Sequence, residues 1–255
     1  MDIDDYRYFF FDIDRTLWNW NSTIIGAEDL IDSLRESGKQ VYFTTDNTLL
    51  SRESLAKKLT DRGIPAEKEQ ILTSGYVARK YLEENSETSA YVIGESGLIE
   101  QFEDSGLDVS AGSDTVVVGF DRNFNYRKAR KAMEIMEDGE ALICSTEKMF
   151  RTSEGFQPHQ GSFNQVFENF GETTLVGKPG EFYLEVFKDY FDFYADTSMF
   201  IGDRLEDIET GNRLGMTTVS VMSGEITRES LKKAEDVQRP DFGLSNLARL
   251  KRRII

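Results

Sequence analysis

"YFFFDIDRTLW", residues 8–18, is the stretch that decides how this chain folds. Tyr8, Phe9, Phe10 and Phe11 form an apolar run that ends on Asp12, and Asp14 follows two residues later. A short apolar run bounded by polar residues reads as a buried strand. Residues two apart in a strand face the same way, so both carboxylates can enter one crevice. A lone Asp-x-Asp is also an ordinary way to run a strand into a turn. What the remaining strand ends carry must therefore separate the two readings.

Strand-like and helix-like segments alternate along most of the chain, which is the pattern of an α/β fold with a parallel sheet. "GAEDLIDSLRESG" predicts a helix with Leu30, Ile31 and Leu34 on one face and Gly38 as its stop. "KQVYFTT", "SMFIGD" and "TTVSVM" predict strands, and "SRESLAKKLTDRG" and "LEDIETGNRLG" predict helices. The middle of the chain reads as a second, smaller α/β unit. It has strands in "AYVIG", "TVVVGF" and "ALICS", and helices in "SGLIEQFEDSG", "NYRKARKAMEIMEDG" and "SFNQVFENFG". The expected architecture is a Rossmann-like parallel sheet core, residues 1–79 and 176–255, carrying an inserted α/β cap at 80–175.

Composition narrows the function. The chain has 255 residues, a single cysteine (Cys144), and a formal net charge of −16 from 30 basic and 46 acidic residues. A chain of this length buries a core without staples, and one cysteine makes no internal disulfide, which suits a reducing compartment. "MDIDDYRYFF" lacks the basic and apolar regions of a signal peptide, and no apolar stretch has membrane-spanning length. A cytoplasmic protein without membrane attachment is expected. So negative a surface repels phosphate backbones, which argues against nucleic acid as a partner. An anionic substrate would need local positive charge from a metal or from Lys and Arg. Nothing opposes a homodimer.

Ligands of open parallel sheets bind outside the carboxyl ends of the strands. "YFFF" is followed by Asp12 and Asp14, "VYF" by Thr44, Thr45, Asp46 and Asn47, "TLVG" by Lys178, and "MFIG" by Asp203 and Asp207. Acids, hydroxyls and an ammonium at equivalent positions suit phosphoryl transfer, which needs a nucleophile, a proton donor and positive charge on the phosphoryl oxygens. Clustered carboxylates would repel a phosphate dianion unless a hard cation sat among them. Mg²⁺, an oxygen-seeking ion, needs only a few carboxylates.

"DIDRTLW", "FTTDN", "VGKPG" and "IGDRLED", in this order, resemble the four motifs of the haloacid dehalogenase-like superfamily. Within it the chain is similar to the p-nitrophenylphosphatase and phosphoglycolate phosphatase branch, whose cap lies between the second and third motifs. "VVVGFDRNFNYRKARKA", "TTVSVMSGEITRESL" and "RPDFGLSNLARL" extend the likeness over essentially the whole chain. The resemblance implies that Asp12 attacks phosphorus to give an aspartyl-phosphate. It implies that Asp14 protonates the leaving alcohol and then activates water. Thr45 would hold a phosphoryl oxygen, and Lys178 would neutralise nucleophile and phosphate. Mg²⁺ would sit on Asp12, the backbone carbonyl of Asp14 and Asp203, with Asp207 or Glu206 in support.

Several positions depart from the branch. Arg15 replaces its usual glycine; the plain reading is a solvated arginine, the alternative a guanidinium at the crevice rim that clamps an anion. Asp46 replaces its usual asparagine beside the substrate. Asp203 and Asp207 are four apart rather than five, a spacing that still shares one helix face. In the cap, Thr146, Glu147, Lys148 and Met149 stand where a Thr-Asn-x-Asp stretch faces the substrate. Glu147 and the lone histidine, His159, are candidate substrate contacts; equally, Glu147 reads as a surface acid and His159 as an uncommitted loop residue. The aromatics of "EFYLEVFKDYFDFY" read as core.

The leading expectation is a Mg²⁺-dependent phosphatase acting on a small phosphorylated metabolite, glycerol phosphate or a similar polyol phosphate before phosphoglycolate. A phosphotransferase or phosphomutase using the same intermediate remains open, as does a non-catalytic ligand-binding relative.

Overall fold

Tyr8–Asp12 is an inner strand of a six-stranded sheet, buried along its whole length. The computed structural model describes residues 3–19, 22–109, 113–152, 154–222 and 226–251. The sheet order is Phe242–Leu244, Thr217–Val221, Ser198–Gly202, Tyr8–Asp12, Gln40–Thr45 and Ile71–Thr73. Tyr8–Asp12 runs parallel to both neighbours, with Phe11 beside Ile201 on one side and Phe43 on the other, and Asp12 beside Thr44. This register lets three apolar runs finish together, so the polar residues after them emerge at one edge.

The aromatic run is what anchors that strand. Phe10 packs on Tyr42, Phe187, Phe191, Phe193 and Phe200, with ring centroids 4.9–6.4 Å apart. Burying a phenylalanine contributes about 1.5–3 kcal/mol, and each well-placed aromatic pair adds about 0.5–1.5 kcal/mol. The aromatics of the 181–194 segment that meet Phe10 are therefore core, as expected.

The chain divides into two compact units, Met1–Thr45 with Ala56–Ile71 and Phe187–Ile255, and Asp46–Leu55 with Leu72–Val186. The second holds a five-stranded sheet in the order Glu172–Leu175, Glu140–Ile143, Thr115–Val118, Ser89–Ile93 and Asp108–Val109. Val116, Val118, Ala141 and Ile143 pack there against Ala132, Ile135 and Phe167. Asn125 starts the helix Tyr126–Ile135 by accepting the backbone N–H groups of Arg127 and Lys128, which satisfies two donors that a helix start leaves open.

The expected α/β class with a parallel core sheet is what the chain adopts. "SFNQVFENFG" departs from its expected helix, giving only the 3₁₀ turn Gln160–Ser162 and the single turn Gln165–Glu168. Its Asn164 side chain is drawn off to the Ser145 carbonyl. The strands Ile71–Thr73 and Phe242–Leu244 and the hairpin Met149–Thr152/Gly155–Pro158 were not anticipated. Among the described residues, no helix is long and apolar enough to cross a membrane.

Candidate active site

Asp12, Asp203 and Asp207 converge. Each offers a carboxylate oxygen within 4.8 Å of the others, and all three side chains are buried. Asp12 closes its strand, and Asp203 follows Ser198–Gly202. Asp207 lies in the first turn of the helix Leu205–Arg213 and reaches back, its Oδ2 accepting the backbone N–H groups of Asp203 at 3.2 Å and Arg204 at 3.0 Å. A carboxylate there is favoured by the positive end of the helix. Gly202 makes the approach possible, because a Cβ on it would lie 2.3 Å from that of Asp207. Asp207, not Glu206, joins the cluster; Glu206 pairs with Arg204 at 3.2 Å.

Three buried carboxylates so close repel one another, and positive charge brought among them relieves that repulsion. Oxygen ligands of one octahedral magnesium lie about 3–4 Å apart for Mg–O of about 2.1 Å. The all-oxygen, buried cluster fits a hard divalent ion of this kind.

Asp14 stands outside that cluster, pinned at both oxygens. Trp18 Nε1–H donates to Oδ1 at 3.0 Å, and the Thr45 hydroxyl donates to Oδ2 at 3.1 Å. The chain turns tightly between the two, with Leu17 and Trp18 N–H on the Ile13 carbonyl and Arg15 N–H on that of Trp18. Lys58 and Arg62 lie over the Trp18 ring at 4.7 and 5.0 Å. Burial lowers the pKa of the Lys58 ammonium, and Asp14 partly opposes that shift. Thr44, beside Asp12 in the sheet, carries a buried hydroxyl with no hydrogen-bond partner among the described residues.

Arg15 is turned inward rather than left solvated. Its Nε donates to Asp203 Oδ2 at 3.0 Å, the side chain is 18% exposed, and its φ of 61° is in the left-handed region. Thr16 donates to Asp203 Oδ1 at 3.4 Å.

The other sequence candidates belong to the second compact unit. Asp46 is buried, and its Oδ1 accepts the Lys178 backbone N–H at 3.1 Å. The carboxylate is thus turned to the segment that presents Lys178, a contact that an asparagine oxygen can also make. Lys178 is itself buried, and the bond to Pro179 is cis. His159 is buried, stacked on Phe120 at 4.2 Å and edge-on to Phe150 at 5.6 Å. Glu147 is half-buried, and its carbonyl accepts the Gly161 N–H at 2.7 Å.

Sequence reasoning passed over Trp18, Thr16 and Gly202. Trp18 had a signal: it closes the opening motif, four residues after the acid it contacts.

The family profile for haloacid dehalogenase-like hydrolases matches residues 9–108, and a second, HAD-hydrolase-like profile matches 175–250. Chloroplastic phosphoglycolate phosphatase 1A of Arabidopsis thaliana is 30% identical over 277 aligned positions, covering 96% of this chain and 76% of that protein. The 4-nitrophenylphosphatase of Schizosaccharomyces pombe is 26% identical, covering 97% of this chain and 94% of that one. The crystal structure of a 4-nitrophenylphosphatase from Thermotoga maritima superposes with a TM-score of 0.88 at 25% identity, over 100% of both chains. With four motifs in order, a parallel sheet that brings Asp12 to Asp203 and Asp207, and relatives matching over nearly the whole of this chain, the chain belongs to the haloacid dehalogenase-like hydrolases, as a phosphatase of the phosphoglycolate and 4-nitrophenyl phosphatase type.

Proposed function

We propose that the protein hydrolyses the phosphomonoester of a small metabolite in a Mg²⁺-dependent reaction with an aspartyl-phosphate on Asp12. The observation that carries this reading is the division of labour among the acids. Asp12 belongs to the buried cluster with Asp203 and Asp207, while Asp14 is held apart by Trp18 and Thr45. In this reading the first carboxylate serves charge and attack, and the second serves proton transfer.

In the first half-reaction an Asp12 oxygen attacks phosphorus, and the ester oxygen departs with a proton from Asp14. In the second, Asp14, now a carboxylate, takes a proton from the water that attacks the acyl-phosphate, releasing phosphate and restoring Asp12. Asp12, Asp203 and Asp207 would hold the Mg²⁺, together with the Asp14 carbonyl. When bound, the ion supplies positive charge against the phosphoryl oxygens. The reading assigns the Thr45 hydroxyl, turned from Asp14 to the substrate when it binds, and the Lys178 ammonium to the phosphoryl group, and the 80–175 cap to substrate selection, with Glu147 and His159 as contacts. The preferred substrates are glycerol phosphate or a similar polyol phosphate, ahead of phosphoglycolate.

Phosphate release from a panel of phosphorylated metabolites, with and without Mg²⁺, tests the reading. Asp12→Asn should stay folded and lose turnover, because an amide is too poor a nucleophile. A folded Asp12→Asn protein with near wild-type p-nitrophenyl phosphate hydrolysis, or full activity after thorough chelation, would overturn it.

A further inference from the structure

Arg15 occupies a backbone position that suits glycine and directs its charge at one acid of the cluster. Its φ is 61°, and only Arg15 and Ser86 among the described non-glycine residues have positive φ. An L-residue with a long side chain is disfavoured there. The side chain that accepts this conformation places Nε 3.0 Å from Asp203 Oδ2, in an ion pair whose acid is fully buried. Thr16 covers the other oxygen at 3.4 Å, so both Asp203 oxygens meet donors from the same turn.

We propose that Arg15 is a built-in counter-ion of Asp203 that competes with the divalent cation, raising the metal concentration at which the cluster fills. The inference rests on the metal-dependent reading above and concerns only its set point. A cation coordinated by Asp203 meets a guanidinium already on that carboxylate. It must displace the guanidinium from Oδ2 or bind beside a like charge in a buried setting, where screening is weak. If the metal-competent arrangement is one of two in exchange, apparent affinity falls by the fraction of molecules in which Arg15 has let go. A charge-assisted hydrogen bond of this kind is strong enough to shift that fraction roughly tenfold or more.

Competition by charge and distortion by a strained turn make different predictions for two variants. Arg15→Asn removes the cation but keeps a side chain, and asparagine tolerates the left-handed region. Arg15→Gly removes the cation and relaxes the backbone as well. A Mg²⁺ titration of the full chain followed by thermal denaturation reads folding and metal binding together, since a ligand of the native state raises the melting temperature with its concentration. In both variants the melting temperature is expected to begin its rise at roughly tenfold lower Mg²⁺ than in wild type. A gain in Arg15→Gly alone, or no gain in either, would overturn the inference while leaving the metal reading intact. Absence of any Mg²⁺-dependent shift in all three proteins would remove the metal reading, and the inference with it.

Discussion

The indole N–H of Trp18 donates to Asp14 Oδ1 at 3.0 Å, while the Thr45 hydroxyl takes Oδ2 at 3.1 Å. A proton donor and acceptor must meet a departing oxygen in a narrow range of geometry, and a free aspartate would sample several rotamers. The two donors arrive from opposite sides in sequence, one from the turn that follows the first strand and one from the end of the adjacent strand. Orientation of the acid is thus written into the turn that makes the motif.

Trp18→Phe keeps the apolar bulk and removes the donor. Hydrolysis of an alkyl phosphate ester is expected to fall by up to roughly tenfold, the upper end of what one hydrogen bond contributes. p-Nitrophenyl phosphate should lose less, because its phenolate needs little help to leave. Single-turnover phosphorylation rates on both esters check this, and equal losses would show that Trp18 does not act through Asp14.

Asp207 has a structural load separable from metal binding. Its Oδ2 accepts two buried backbone N–H groups at the head of a helix. Asp207→Ala leaves both donors unpaired and is expected to cost about 2–4 kcal/mol, whereas Asp207→Asn retains an acceptor and should cost less than half of that. Urea denaturation in the presence of a chelator measures the difference; equal stability of the two variants would contradict the capping role.

The site was legible in the sequence where chemistry coincides with a strand end. Asp12, Asp203 and Asp207 follow apolar runs long enough to read as strands, and a parallel sheet brings such ends to one edge. What escaped depends on tertiary direction. Nothing in "DIDRTLW" says that Arg15, at a left-handed φ that disfavours a long side chain, bends back to Asp203. Ile71–Thr73 and Phe242–Leu244 escaped because three residues are too few to show a period. Gly202 illustrates a third case: its necessity appears only once the Asp207 side chain is seen 2.3 Å from where a Cβ would be.

A modest acid sensitivity is expected from Glu95 and Arg122. The Arg122 guanidinium donates to both Glu95 oxygens and its backbone N–H adds a third bond, which together hold the carboxyl below its ordinary value of 4.5. A carboxyl lowered in the folded state contributes stability that is complete above its unfolded pKa and disappears as pH falls through the folded one. Arg122 is 58% exposed, so solvent screening limits the pair to about 0.5 kcal/mol. Arg122→Ala should lose less stability than wild type between about pH 6 and pH 3. Parallel curves across that interval would show that the pair carries no linkage.

The substrate prediction turns on Glu147. Its segment is tied to the chain around His159: Gly161 N–H donates to the Glu147 carbonyl at 2.7 Å, and His159 N–H to the Lys148 carbonyl at 2.9 Å. His159 in turn is stacked on Phe120, which fixes the second half of that pairing. These bonds fix the backbone that carries the Glu147 side chain. The prediction takes as its premise what the family resemblance implies, a substrate-facing position here, one normally filled by a neutral asparagine. Phosphoglycolate would present a carboxylate to it; glycerol phosphate presents hydroxyls, whose protons Glu147 can accept. Repulsion between two carboxylates about 6 Å apart at an effective dielectric of about 40 is about 1.4 kcal/mol, a tenfold discrimination. The prediction is that kcat/KM for glycerol phosphate exceeds that for phosphoglycolate by roughly this factor, and that Glu147→Gln shrinks the ratio towards one by improving phosphoglycolate rather than by harming the polyol ester. Steady-state kinetics on both esters at fixed Mg²⁺ decides it. A wild-type preference for phosphoglycolate, or a ratio unchanged in Glu147→Gln, would remove Glu147 from substrate selection.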